Sequence, residues 1–191
     1  RVLNRKIPFL NFFLKKELIY VPILGLCWWA LDFPFMTRTS KSQLKKNPKL
    51  RGKDLETTRK ACEKFKEMPV SVVNFVEGTR YTKQKHARQN SPFPHLLKPK
   101  AGGVAFVMQA MGEQITKVVN VTIHYPEGIP TFMDFASGKV KNINVHVEVR
   151  PVSDELIGDY TNDPDFRVRF QSELNRLWKE KNQTLINLEQ K

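Results

Sequence analysis

A chain of 191 residues, 40% hydrophobic and 27% charged, can bury one core and is too apolar to stay disordered over most of its length. Its two cysteines, Cys27 and Cys62, lie in no paired Cys/His spacing, which argues against a disulfide framework or a zinc site and fits a reducing, cytoplasm-facing compartment. The net charge of +13 calls for an anionic partner, and it is concentrated early: Arg38 to Lys66 holds eleven basic residues against three acidic ones, and Arg80 to Lys100 six with no acidic one.

In chain order, Leu10 to Leu14 is a short apolar run that reads as a buried strand, ending in a turn at Lys15-Lys16-Glu17. Val21 to Leu31 reads as a helix carrying Trp28 and Trp29, and Phe33 to Thr37 as another short strand, weakened by Pro34. The apolar cluster Phe9 to Phe35 is either core or partly interfacial, where tryptophan is favoured. Leu18 to Met36 is interrupted by Pro22, Asp32 and Pro34, so it does not form a clean span of about 20 apolar residues.

Asp54 to Glu67, with Leu55, Cys62 and Phe65 at helical spacing, predicts an amphipathic helix stopped by Pro69. Its lysines are either a solvated face or a contact for anionic headgroups. Val70 to Val76 predicts a central strand, and Tyr81 to Leu97, polar and without a period, a long loop. Gly103 to Met111 reads as a helix closed by Gly112, and Val118 to Tyr125 as the next strand. Lys141 to Arg150 alternates strictly, with Ile143, Val145, Val147 and Val149 on one face, as a half-exposed strand near a sheet edge does. Asp163-Pro164 opens a final helix with Phe166, Phe170, Leu174 and Leu177 on one face. The alternation predicts an α/β fold, a mixed, largely parallel sheet flanked by helices, in a single domain over 1–191 with a C-terminal helical segment at 163–191.

The most informative segment for function is Val72 to Arg80, where an apolar strand delivers Glu77, Gly78, Thr79 and Arg80 at its C-terminal end, the end at which α/β sheets bind ligands. Arg80 offers a planar donor fork suited to phosphate, Gly78 allows close backbone approach, and Glu77 is placed to hold the arginine. The same residues also read as an ordinary strand-ending turn with a surface ion pair.

Phe75 to Arg80 resembles the Phe-Pro-Glu-Gly-Thr-Arg signature of the lysophosphatidic acid acyltransferase family, with Val76 in place of the proline. Lys15-Lys16-Glu17-Leu18 followed by Pro22 and Gly25 resembles that family's Lys-x-Glu-Leu and Pro-x-x-Gly block, and Phe35-Met36-Thr37-Arg38 its Gly-x-x-Phe-Ile-x-Arg block, with Asp32 replacing the glycine. Pro99-Lys100-Ala101-Gly102-Gly103 resembles the segment before the next family helix. Val119 to Ile123 takes the place of the Val-Pro-Val block, Asn120 replacing the proline. Together with Tyr125-Pro126 this is most similar to the lysocardiolipin acyltransferase branch and the bacterial YihG-type acyltransferases. Several blocks in order over roughly Lys6 to Pro151 are a far stronger signal than any one of them.

The resemblance implies direct transfer of a fatty acyl group from a thioester, acyl-CoA or acyl carrier protein, to a lysophospholipid hydroxyl, without a cofactor or metal. A histidine acts as general base, oriented by an aspartate five positions on. Five positions after His86, His95, His124 and His146 stand Ser91, Lys100, Ile129 and Pro151, so that pair is absent from this chain. The chain opens on Arg1 and is expected to be a fragment whose catalytic block and membrane anchors lie upstream. By the same resemblance Arg80, Arg38 and Lys15 would bind the glycerol phosphate, Glu77 would support Arg80, Gly78 and Thr79 would shape the loop, and Lys100 is counted with them as substrate-binding.

His86 and His95, in the basic loop, read either as phosphate contacts or as solvated, while His124 reads as a strand cap and His146 as solvent-facing. The expected partners are a lysophospholipid acceptor, an acyl thioester donor and a membrane surface, at a bacterial inner membrane with the domain on its cytoplasmic side. A non-catalytic phospholipid-binding protein is an alternative. Nucleic acid is not expected, because recognition motifs and exposed aromatics interleaved with the charge are lacking.

Overall fold

The computed structural model describes residues 9–12, 14–31, 33, 35–36, 56, 59–60, 63, 70–112 and 114–190. The elements in chain order are β1 (Phe9–Phe12), β2 (Leu14–Lys15), a 3-10 turn at Lys16–Tyr20, α1 (Leu24–Ala30), β3 (Phe35–Met36), β4 (Val70–Val73), α2 (Lys83–Gln89), α3 (Ala101–Met111), β5 (Lys117–His124), α4 (Phe132–Ala136), β6 (Asn144–Pro151), a 3-10 turn at Asp154–Leu156 and α5 (Pro164–Glu189). Most of the predicted 54–67 helix, Arg38 and the side chain of Lys15 lie outside the described residues.

The chain divides into two compact units, residues 1–76 with 102–114, and 77–101 with 115–191. In the first, β1 pairs with β4 in parallel, Phe9 opposite Val70 through Phe12 opposite Val73, and β2 pairs with β3 in parallel. The Val70 to Val73 run thus pairs as a strand, and the turn predicted at Lys15 to Glu17 forms as a 3-10 segment. Gly25 is buried in α1 because the helix lies on the preceding 3-10 carbonyls. A Cβ there would stand 2.1 Å from the Ile19 carbonyl oxygen. The core reading of α1 is corrected: Leu24, Leu26 and Trp29 are exposed and Trp28 is half-buried, so Gly25 is the helix's buried residue.

In the second unit β5 and β6 form an eight-residue antiparallel ribbon, Lys117 opposite Pro151 through His124 opposite Asn144. The expected single, largely parallel sheet is therefore not assembled among the described residues, which form one antiparallel and two shorter parallel pairs. The mixture of helix and strand is as the sequence predicts.

Helix α5 starts where Asp163 accepts backbone N–H bonds from Asp165 and Phe166, both at 2.9 Å, with Pro164 in its first turn. Its buried stripe runs Phe166, Phe170, Leu174, Trp178, Asn182 and Leu185. The expected Leu177 is half-buried, because the stripe advances by four residues and reaches Trp178 instead. Phe93, Leu96, Leu97 and Leu156 supply further core side chains of this unit. Burying a large apolar side chain contributes about 1.5–3 kcal/mol each, so this cluster dominates the unit's stability.

The ribbon meets α5 in an unexpected sense. Val119, Val121 and Ile123 pair across the strands with Val149, Val147 and Val145, and all six are exposed, whereas Thr122 on the opposite face is buried. The covered face is polar because α5 offers charged partners: Lys181 donates to groups of β5, and Arg150 Nη2 lies 2.6 Å from both Glu148 and Glu180. A second departure is α2, inside the predicted loop. Thr82 caps it by accepting the Lys85 N–H at 3.2 Å, and Asn90 ends it in the left-handed conformation (φ 47°). No residue of α2 is buried, so its sequence carries no apolar period.

Candidate functional site

The turn that follows β4 in sequence is built around Gly78, whose φ of 67° lies in the left-handed region that side chains disfavour. Open space above its α-carbon is taken by Lys100, whose Cδ and Nζ lie 3.4 Å from where a Cβ would stand. Lys85, from the first turn of α2, also holds the turn. Its ammonium donates to Thr79 Oγ1 at 2.8 Å and to the Arg80 carbonyl at 3.1 Å. The structure thus places Lys100 and Lys85 at the turn formed by Glu77, Gly78, Thr79 and Arg80.

The Glu77 carboxylate is half-buried and accepts the Leu97 N–H at 3.2 Å. Burial pushes its pKa above the usual carboxylate range. The Leu97 N–H, the Trp178 indole, Lys181 and Lys100 oppose that shift in decreasing order. The expected Glu77 support of Arg80 is corrected. The carboxylate is turned toward Leu97 and Trp178, while Arg80 is exposed and its guanidinium has no ion-pair partner among the described residues. The left-handed Gly78 between them redirects the chain.

Three cations, Arg80, Lys85 and Lys100, therefore surround a turn whose one carboxylate faces inward. A turn that carries an exposed guanidinium, with one ammonium bonded to its backbone and another over its glycine, offers donors for a phosphate or carboxylate.

The histidines do other work. His86 Nε2 bonds the Phe93 carbonyl at 2.8 Å, which spends one ring nitrogen on fold rather than on a phosphate. His95 Nδ1 lies 3.2 Å from Glu189. His124 Nδ1 lies 3.4 Å from Asn144 Nδ2 at the end of the ribbon, and His146 is exposed. None is paired with an aspartate among the described residues, no three His, Cys, Asp or Glu side chains gather there as a metal would need, and no described helix is long and apolar enough to cross a membrane. The sequence reading missed Lys85, Trp178 and Lys181. A capping signal at Thr82 pointed to the first, while the others meet their partners only through the tertiary fold.

Comparison with known proteins places these residues in context. The Acyltransferase family model matches residues 2–127, about two thirds of the chain, and includes the whole Glu77 to Lys100 segment. The chain is 26% identical over 151 residues to the mouse 1-acyl-sn-glycerol-3-phosphate acyltransferase delta, covering 73% of this chain and 37% of that protein. It is 24% identical to the human protein of the same name, with the same coverage. It is 26% identical over 153 residues to 1-acyl-sn-glycerol-3-phosphate acyltransferase 3 of Arabidopsis thaliana, covering 74% of this chain and 38% of that protein. The chain thus spans little more than a third of the length of these relatives. No solved structure matches it. Since the family model runs through most of the chain and through the cationic turn itself, the chain belongs to the Acyltransferase family.

Proposed function

We propose that the protein transfers a fatty acyl group from an acyl thioester, acyl-CoA or acyl carrier protein, to a hydroxyl of a lysophospholipid such as lysophosphatidic acid, and that this chain supplies the part that binds the acceptor's phosphate. The observation that carries the reading is the cationic turn Glu77–Arg80, with an exposed Arg80 that has no ion-pair partner among the described residues and Lys100 lying across Gly78. Arg80 engages the phosphate through its fork and Lys100 adds a point charge. Lys85 holds Thr79 and the Arg80 carbonyl, so the turn need not reorganise on binding. By the motif resemblance Arg38 and Lys15 would also bind the glycerol phosphate.

In the reaction the acceptor hydroxyl oxygen attacks the thioester carbonyl, its proton passes to a general base, and the carbon–sulfur bond breaks to release the thiol. The base belongs to the His-x-x-x-x-Asp pair of the family, which this sequence does not contain. The reading further places the site at a membrane surface on the cytoplasmic side, a bacterial inner membrane, with an acceptor of the lysocardiolipin or YihG-type branch. The exposed Leu24, Leu26 and Trp29 of α1 and the net charge of +13 support contact with an anionic bilayer.

The full-length gene product, in membranes with radiolabelled acyl-CoA and lysophosphatidic acid, is expected to form phosphatidic acid. Binding of the lysolipid without turnover, in a product that carries an intact His-x-x-x-x-Asp pair, would replace the enzyme by a phospholipid-binding protein.

A further inference from the structure

The C-terminal helix, which lies beyond the residues matched by the family, reaches the cationic turn through a partly buried polar network. Trp178 is 9% exposed and its indole N–H donates to the Leu97 carbonyl at 3.1 Å while also lying against the Glu77 carboxylate. Leu97, fully buried, returns its own N–H to Glu77 Oε1 at 3.2 Å. One helical turn on, Lys181 Nζ donates to Asn120 Oδ1 at 2.9 Å, the Val121 carbonyl at 2.5 Å and Thr122 Oγ1 at 3.3 Å, and lies 5.8 Å from the Trp178 ring. All three ammonium hydrogens therefore have acceptors.

A lysine at such a position is an unfavourable choice for packing alone. Taking an ammonium out of water costs free energy that a methionine of similar length would not incur, and burial depresses its pKa to about 8. Its charge acts on Glu77, which it helps to keep ionised inside a site whose burial favours the neutral acid. Glu77 is the residue next to Gly78, so whatever fixes its carboxylate also fixes where the turn begins.

We propose that Trp178 and Lys181 are positioning residues for the anion site, holding Glu77 and the Gly78–Arg80 turn from a helix beyond the family-matched segment. The inference rests on the reading of that turn as the acceptor's phosphate site. The two residues touch no substrate. They act through Glu77 and Leu97, so their loss weakens acceptor binding more than chemistry.

The test uses the full-length protein and the variants Lys181→Met, Lys181→Arg and Trp178→Phe, with two readouts. Hydrogen exchange of the segment containing Leu97 reports the network without reference to activity. It is expected to quicken at least about tenfold in Lys181→Met and Trp178→Phe, with Lys181→Arg close to wild type. Kinetics with lysophosphatidic acid are expected to show KM raised about tenfold and kcat within about threefold for the same two variants, and Lys181→Arg restoring KM. Unchanged exchange at Leu97, or quickened exchange with unchanged KM, overturns the proposal. Should the wild-type protein transfer no acyl group to any lysophospholipid, the acyltransferase reading falls, and the exchange result alone then decides whether the network holds Glu77.

Discussion

Gly78 sits at φ 67° with the Lys100 side chain 3.4 Å from the position of an added Cβ. That distance is ordinary contact, so the cost of Gly78→Ala is conformational, about 1–2 kcal/mol for a left-handed alanine. The variant is expected to lower thermal stability by that amount and to raise KM for the lysolipid, because relief of the left-handed strain would move the turn that carries Arg80. Unchanged stability in calorimetry would mean that the turn adopts another conformation.

Lys181 gives a second residue-scale test. Burial lowers its pKa from 10.5 to about 8, with Glu77 acting in the opposite sense. Above pH 8, and up to the ordinary lysine range, the unfolded chain holds a proton that the folded protein has released, so stability from this group rises with pH through that window. In denaturant unfolding, wild type is expected to gain on Lys181→Met between about pH 7.5 and 9.5. A pH-independent difference would show that Lys181 titrates as an exposed lysine.

Among elements, α1 is fixed by a close approach rather than by its apolar side chains, most of which are exposed. Gly25→Ala would bring a Cβ to 2.1 Å from the Ile19 oxygen and 2.6 Å from its carbon, both backbone atoms that cannot rotate away. A loss of about 2 kcal/mol or more is expected in thermal unfolding. Retention of full stability would show that the 3-10 segment does not lie under the helix.

The same scale shows where sequence patterns carry and where they fail. Alternation in Lys141 to Arg150 located a strand, and β6 spans Asn144–Pro151, yet it could not say which face would be covered. That choice belongs to Lys181 and Glu180 on α5, which make the polar face the inner one. Helix α2 escaped because an element with no buried residue leaves no apolar period; its marks were the cap residues Thr82 and Asn90. Helix α5 was legible because its Asp-Pro start and its stripe of large apolar residues are local signals.

For the whole molecule, the motif order from Lys15 to Tyr125 singled out the Glu77–Arg80 segment, and in the structure Lys100 lies against that turn. What holds the turn was not legible, since Trp178 meets Leu97 across 81 residues and Lys181 meets Asn120 across 61. Contacts of that separation are properties of the fold, and no spacing rule within a motif reports them. The net charge of +13 pointed to an anionic partner without naming it, and under the proposed function Arg80, which has no ion-pair partner among the described residues, would take a group with paired acceptor oxygens.

The central claim is that Arg80 reads the acceptor's phosphate. The most direct measurement is the ratio of kcat/KM for lysophosphatidic acid to that for the phosphate-free monoacylglycerol, in wild type and in Arg80→Ala of the full-length protein. The account predicts a strong wild-type preference for the phosphorylated acceptor that falls by about 100-fold in the variant, the loss of a bidentate charged contact. A variant that keeps the wild-type preference would contradict it.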